Sequence, residues 1–132
     1  MRTKPCLTAA DVNTMMAACL AEAEKNKWKV TVAIVDDGGF MLNVMRMDGA
    51  VVTTAEVAVG KARTAALTQR PSKFFEDRVK ERPAFLSFPA GLLIQGGLPI
   101  MHQGDCVGAI GVSGVQSSED EQIAKAGITA LG

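Results

Sequence analysis

The run Val30-Thr31-Val32-Ala33-Ile34-Val35 ends directly on Asp36-Asp37-Gly38-Gly39, and that junction constrains the fold more than any other feature of the chain. β-Branched residues on both alternating faces predict a strand covered from two sides. The turn that follows is rich in residues that accept positive φ, so the chain reverses at once. Phe40-Met41-Leu42-Asn43-Val44-Met45-Arg46 returns as the second strand of a hairpin.

Helical spacing dominates before and after the hairpin. Thr8 and Asp11 form a capping-box pattern ahead of Val12, Met15, Met16, Cys19, Leu20 and Ala23, which recur at helical intervals. Thr53-Thr54-Ala55-Glu56 has the same capping pattern and opens a second helix from Ala55 through Leu67, rich in alanine. Pro71-Ser72 stops it and starts a short third helix, Lys73 to Lys80. The stretch Arg82 to Gly91 reads as irregular, with Phe85 and Phe88 tucked into the body. Leu92-Leu93-Ile94-Gln95, Leu98-Pro99-Ile100-Met101 and Cys106 to Val112 predict a three-stranded meander. Ser117-Ser118 caps a last helix through Leu131. The expected order is α-β-β-α-α-β-β-β-α, an α/β (α+β) fold in a single domain spanning residues 1–132.

Composition then removes several functions. With 48% hydrophobic and 21% charged residues, the chain has globular rather than disordered proportions. Lysine plus arginine and aspartate plus glutamate are equal at 14 each, so no net charge draws it to nucleic acid. The basic run Lys25 to Lys29 suits the dipole at a helix end. No apolar run approaches the roughly 20 residues that cross a bilayer, so no membrane partner is expected. Met1 to Cys6 has no apolar signal region. Cys6, Cys19 and Cys106 are odd in number and scattered, which disfavours a disulfide framework or structural zinc site and suits a reducing cytoplasm. Sparse charge leaves apolar surface that a homo-oligomer would cover.

The chemistry-bearing residues are few. Gly108, Gly111 and Gly114 match neither a dinucleotide fingerprint nor a P-loop, and glycines inside a strand mark close approach of a helix, a neighbour or a ligand. Ser113 is not in a nucleophile elbow. Asp36 and Asp37 suit the hairpin turn better than acid/base work. His102, the one histidine, falls where a strand exits into a turn. It has no metal-spaced partners, so haem ligation through His102, a methionine or a cysteine stays open. Arg46, Lys61, Arg63 and Arg70 are able to hold a carboxylate or propionate, or equally to pair with Asp48, Glu56 or Asp120.

Taken in order, five segments resemble the GlcG/HbpS-like family, also called the haem-degrading domain family. They are Val32 to Gly39, Arg46-Met47-Asp48-Gly49-Ala50, Gly60-Lys61-Ala62-Arg63-Thr64-Ala65, Gly96-Gly97-Leu98-Pro99-Ile100 and Val107 to Gly114. Glu22 to Trp28 and Glu81 to Phe85 add a likeness to the GlcG branch, linked to glycolate-utilisation operons. The resemblance implies a profilin-like fold with a five-stranded antiparallel sheet flanked by helices, and homo-oligomers. It also implies kinship with haem-binding proteins and with the carboxyl-terminal domain of PduO-type corrinoid adenosyltransferases. PduO-type members that ligate haem use a histidine in the first helix, and Ala9 to Lys25 contains none here.

The expectation is therefore a cytoplasmic, oligomeric accessory protein that binds a small molecule, with haem or a related tetrapyrrole as ligand and cofactor. Its ligand-binding set is Arg46, Asp48, Lys61, Arg63, Gly97, Gly111 and Ser113, with His102 as a haem axial ligand. One alternative is an enzyme acting on a small carboxylate with Lys61 or Asp48 as polar catalyst. Another is a structural partner of an operon-mate enzyme.

Overall fold

In a computed structural model that describes Met1–Gly132, one antiparallel sheet lies between two helical layers. The elements run α1 (Ala9–Lys25), β1 (Thr31–Asp36), β2 (Met41–Arg46), α2 (Thr54–Thr68) and α3 (Ser72–Glu81). A 3-10 turn (Pro83–Ser87), β3 (Gly97–His102), β4 (Asp105–Ser113) and α4 (Ser117–Leu131) complete the chain. The sheet has four strands in the order β2-β1-β4-β3.

The expected fifth strand does not form. Leu92–Gln95 lies outside the sheet, and its backbone groups are met by side chains and a helix carbonyl. Leu92 N donates to Gly60 O at 3.0 Å, and Leu92 O accepts from Thr64 Oγ1 at 2.7 Å. Ile94 O accepts from Ser72 Oγ at 2.6 Å, while Gln95 N reaches Glu76 Oε1 at 3.3 Å. With those groups satisfied by α2 and α3, the segment has no need of a strand partner. The five-stranded sheet and the order α-β-β-α-α-β-β-β-α are thus corrected to four strands with a 3-10 turn and a strap between α3 and β3.

The central strands explain the β-branched run. β1 pairs with β2 on one side and β4 on the other, with Ala33 opposite both Val44 and Gly111. Val32, Ile34, Ile110 and Val112 face α1 and α4, where Met15, Cys19 and Ile123 complete the larger core. Each such side chain contributes about 1.5–3 kcal/mol on full burial. Ala33, Val35 and Ala109 face the other way, against Ala58, Ala62, Ala65 and Ala66 of α2. Small side chains on both surfaces let that helix lie close to the sheet.

The ends of the elements follow local chemistry, with two exceptions. Thr8 and Asp11 form a reciprocal capping box on α1. Asp36 Oδ1 accepts from Gly38 N and Phe40 N, and Gly39 takes φ +83° at the hairpin tip. Thr53 makes no side-chain cap; Thr54 instead shares a buried 2.8 Å hydrogen bond with Thr31, tying α2 to β1. α4 is capped by Gln116 with Glu119, not by the serines that follow. Phe85 tucks in only halfway and Phe88 stays 39% exposed, although both rings lie against Phe75 at centroid distances of 6.2 Å and 5.1 Å. No helix is long and apolar enough to cross a membrane.

Candidate functional site

The residues expected to bind a ligand do not converge on one cleft. Arg46 stands opposite Thr31, which stands opposite Ser113, so these three cross the sheet at one end. Gly97 and Gly111 are register partners in β3 and β4. His102 ends β3 at the opposite end of the sheet, beside Asp105. Arg46 and Asp48 border a shallow groove with Leu20, Glu24 and Met47. Arg63 lies on the α2 side of the sheet, where its Nη1 donates to Gly39 O at 3.2 Å.

Lys61, Gly97 and Gly111 are enclosed. Lys61 is buried, and its Nζ donates to Val112 O at 3.0 Å and to Asp120 Oδ2 at 3.1 Å. Of the two open readings for this lysine, the geometry realises the pairing with Asp120. A Cβ on Gly111 would stand 2.1 Å from Ala58 O and 2.5 Å from Ala62 N. One on Gly97 would stand 2.3 Å from Lys61 O. Both glycines make room for the α2 backbone.

His102 is better placed to meet a ligand. It opens on a cleft of about 270 Å³ between the amino-terminal segment, β3 and the end of α4. Leu7, Ile100, Val107, Ile128 and Leu131 give apolar walls, and Cys6, Met101 and Asp11 join His102 as heteroatom carriers. The Asp11 carboxyl is held below its usual range by the Thr8 backbone and hydroxyl, with a smaller pull from His102. Cys6 is exposed, whereas Cys19 is buried and its thiol is pushed up to about 12 by desolvation. Cys106 is also buried and shifted upward, again chiefly by desolvation. Only Cys6 is therefore accessible, as a metal-ligating or reactive thiol requires.

That Cys6 and Asp11 share a cleft with His102 was not legible in the sequence. They precede His102 by most of the chain's length, and no spacing motif connects them. Their meeting depends on α1 and α4 packing on one face of the sheet and bringing the amino-terminal segment over β3.

The sheet and its two helical layers define a small α+β protein with a cleft at the His102 end of β3. The chain belongs to the family described as haem degrading protein HbpS-like, whose family model matches residues 7–129. It is 40% identical over 114 residues to Protein GlcG of Escherichia coli K12, covering 86% of this chain and 85% of that one. It is 27% identical to the corrinoid adenosyltransferase PduO of Salmonella typhimurium, spanning 98% of this chain but 40% of PduO. Among solved structures, a double mutant of Streptomyces reticuli HbpS superposes with TM-score 0.93 at 33% identity, covering 100% of this chain and 91% of that one. A PduOC:haem complex superposes with TM-score 0.87 at 26% identity, covering 96% and 95%.

Proposed function

We propose that this chain is a homo-oligomeric accessory protein that binds haem or a related tetrapyrrole, with the His102 cleft holding the macrocycle. The observation that carries the reading is that His102, Cys6 and Met101 line one cleft with apolar walls. Haem iron takes histidine, cysteine or methionine, and a porphyrin needs apolar walls, so the residue types along the cleft suit the group. His102 is the ligand of choice, with Cys6 or Met101 available on the same cleft. The lining contains no lysine or arginine, so the propionates would be left toward solvent. Bound there, haem supplies redox and oxygen chemistry, while the chain's own residues bind it, orient it and restrict water.

The family membership and the haem complex of PduOC support this reading. With no histidine in the first helix, the imidazole would come from His102 at the end of β3 instead. Free thiols at Cys6, Cys19 and Cys106 suit work in a reducing cytoplasm.

A haemin titration followed by absorbance tests the proposal. Saturable binding with a shifted Soret band is expected for the wild type, with a changed band position and weaker binding for His102→Ala. An identical titration in His102→Ala removes His102 from the ligand set. A wild type with no saturable binding overturns the haem assignment.

A further inference from the structure

The outer face of α2 has a pattern that reads the same in both directions. From the turn that leads into the helix to its last turn, the positions away from the sheet are Val52, Glu56, Val59, Gly60, Arg63 and Leu67. Val59, Gly60 and Arg63 are half-buried, and Gly60 is flanked by the Leu92 side chain. Reversing the order exchanges Val52 with Leu67, Glu56 with Arg63 and Val59 with Gly60. Apolar residues thus stand at both ends, small or apolar ones at the centre, and opposite charges between. An isologous contact requires such self-complementarity, because a two-fold axis brings each residue against its mirror position.

Three further observations point to an occupant. Val52 is 66% exposed and Leu67 43%, high values for apolar side chains that bracket a helix. Neither Glu56 nor Arg63 has an ion-pair partner within the chain. The Arg63 guanidinium uses one donor on Gly39 O, which leaves others of its five free. Finally, α2 lies mainly across β1, β4 and β3 and covers β2 only in part. The result is a shallow hollow of about 400 Å³ beside the helix, where Met41 and Val44 meet Ala55 and Val59.

We infer that α2 packs antiparallel against α2 of a second copy of this chain, about a two-fold axis at Val59–Gly60, with each Glu56 facing Arg63 of the partner subunit. Glu56 and Arg63 are about two turns apart, on the order of 10 Å along the helix. That separation places two opposite-charge pairs symmetrically about the axis. Val52 and Leu67 of each copy close the ends, and the hollow beside Met41 receives the partner's flank. The inference rests on the homo-oligomer part of the proposed function and is independent of the ligand.

Charge reversal tests it. Light scattering after size exclusion is read for the wild type, Glu56→Arg, Arg63→Glu and the double variant, with circular dichroism and thermal melts as the folding check. Each single reversal sets like charges together twice and is expected to raise the dissociation constant roughly tenfold to a hundredfold. The double variant restores both attractions and returns the assembly toward wild-type size. Glu56 is exposed, so its reversal breaks no buried contact, and the melts read any loss from placing a cation in the first turn of α2. In a Cys6→Ser background, Val59→Cys is expected to give a disulfide-linked dimer on mild oxidation. A monomeric wild type at tens of micromolar overturns both the interface and the homo-oligomer reading. An oligomeric wild type that is indifferent to both single reversals and does not crosslink through position 59 overturns the α2 interface alone. The haemin titration is unaffected by either result.

Discussion

Lys61 Nζ lies 3.1 Å from Asp120 Oδ2, and both side chains are almost wholly removed from solvent, at 3% and 2% exposure. The pair joins the middle of α2 to the first turn of α4 beside the end of β4, where Val112 O takes a second Lys61 hydrogen bond. Asp120 Oδ1 also accepts from Val115 N. A lysine in an alanine-rich helix face is thus explained by what it clamps. Burial pushes the Asp120 carboxyl above its usual range, with Lys61 pulling the other way.

Breaking this pair from one side leaves a buried charge unmatched. Lys61→Met is expected to cost about 3–5 kcal/mol in urea denaturation. Lys61→Met combined with Asp120→Asn should cost clearly less than Lys61→Met alone, because the remaining side chain is neutral and still accepts from Val115 N. A double variant as unstable as the single one would show that packing, not the orphaned charge, dominates.

Gly111 and Gly104 separate two reasons for glycine. The position of a Gly111 Cβ is occupied by α2 backbone, whereas nothing lies within 4 Å of a Gly104 Cβ, where φ is +87°. Gly111→Ala must displace a helix and is expected to lose at least about 1–3 kcal/mol. Gly104→Ala meets only local backbone strain, of order 1 kcal/mol. Parallel thermal melts should therefore rank Gly111→Ala well below Gly104→Ala.

Thiol reactivity should single out Cys6. Under native conditions a chromogenic disulfide reagent is expected to titrate one thiol rapidly and the other two only after unfolding, since Cys19 and Cys106 are buried and shifted upward. Cys6→Ser should abolish the fast phase. Protection of that phase by haemin would support the cleft as the haem site, and full reactivity in the loaded protein would count against it.

The carboxylates at helix ends set the acid limb of stability. Asp11 is lowered by its Thr8 hydrogen bonds, and Glu22 by the Gln122 amide that joins α1 to α4. A folded pKa below the unfolded value means stability that is present above the unfolded pKa and lost as pH falls through the folded one. The melting temperature is expected to fall as pH drops below about 4, and Asp11→Asn should flatten that fall. Asp120, shifted upward, acts in the opposite sense: the folded state holds its proton more tightly, so its contribution is lost as pH rises through the folded pKa. A steeper acid limb in Asp11→Asn would contradict the assignment.

What the sequence determined by itself is what neighbours along the chain decide. The first hairpin follows from β-branched residues meeting Asp-Asp-Gly-Gly, and α1 follows from Thr8, Asp11 and a periodic apolar face. These depend on backbone conformation and on hydrogen bonds a few residues apart, so they are legible locally. Val30–Val35 and Leu92–Gln95 look alike as apolar runs, yet only the first supplies a strand. The second finds its hydrogen-bond partners on Gly60, Thr64, Ser72 and Glu76, a choice that exists only after α2 and α3 are in place. The site divides in the same way. His102 was identifiable as the sole imidazole, and Lys61 as an anomaly in its helix. Their neighbours, Cys6 for one and Asp120 for the other, were decided by tertiary packing, because desolvation and close approach are properties of the assembled layers rather than of any segment.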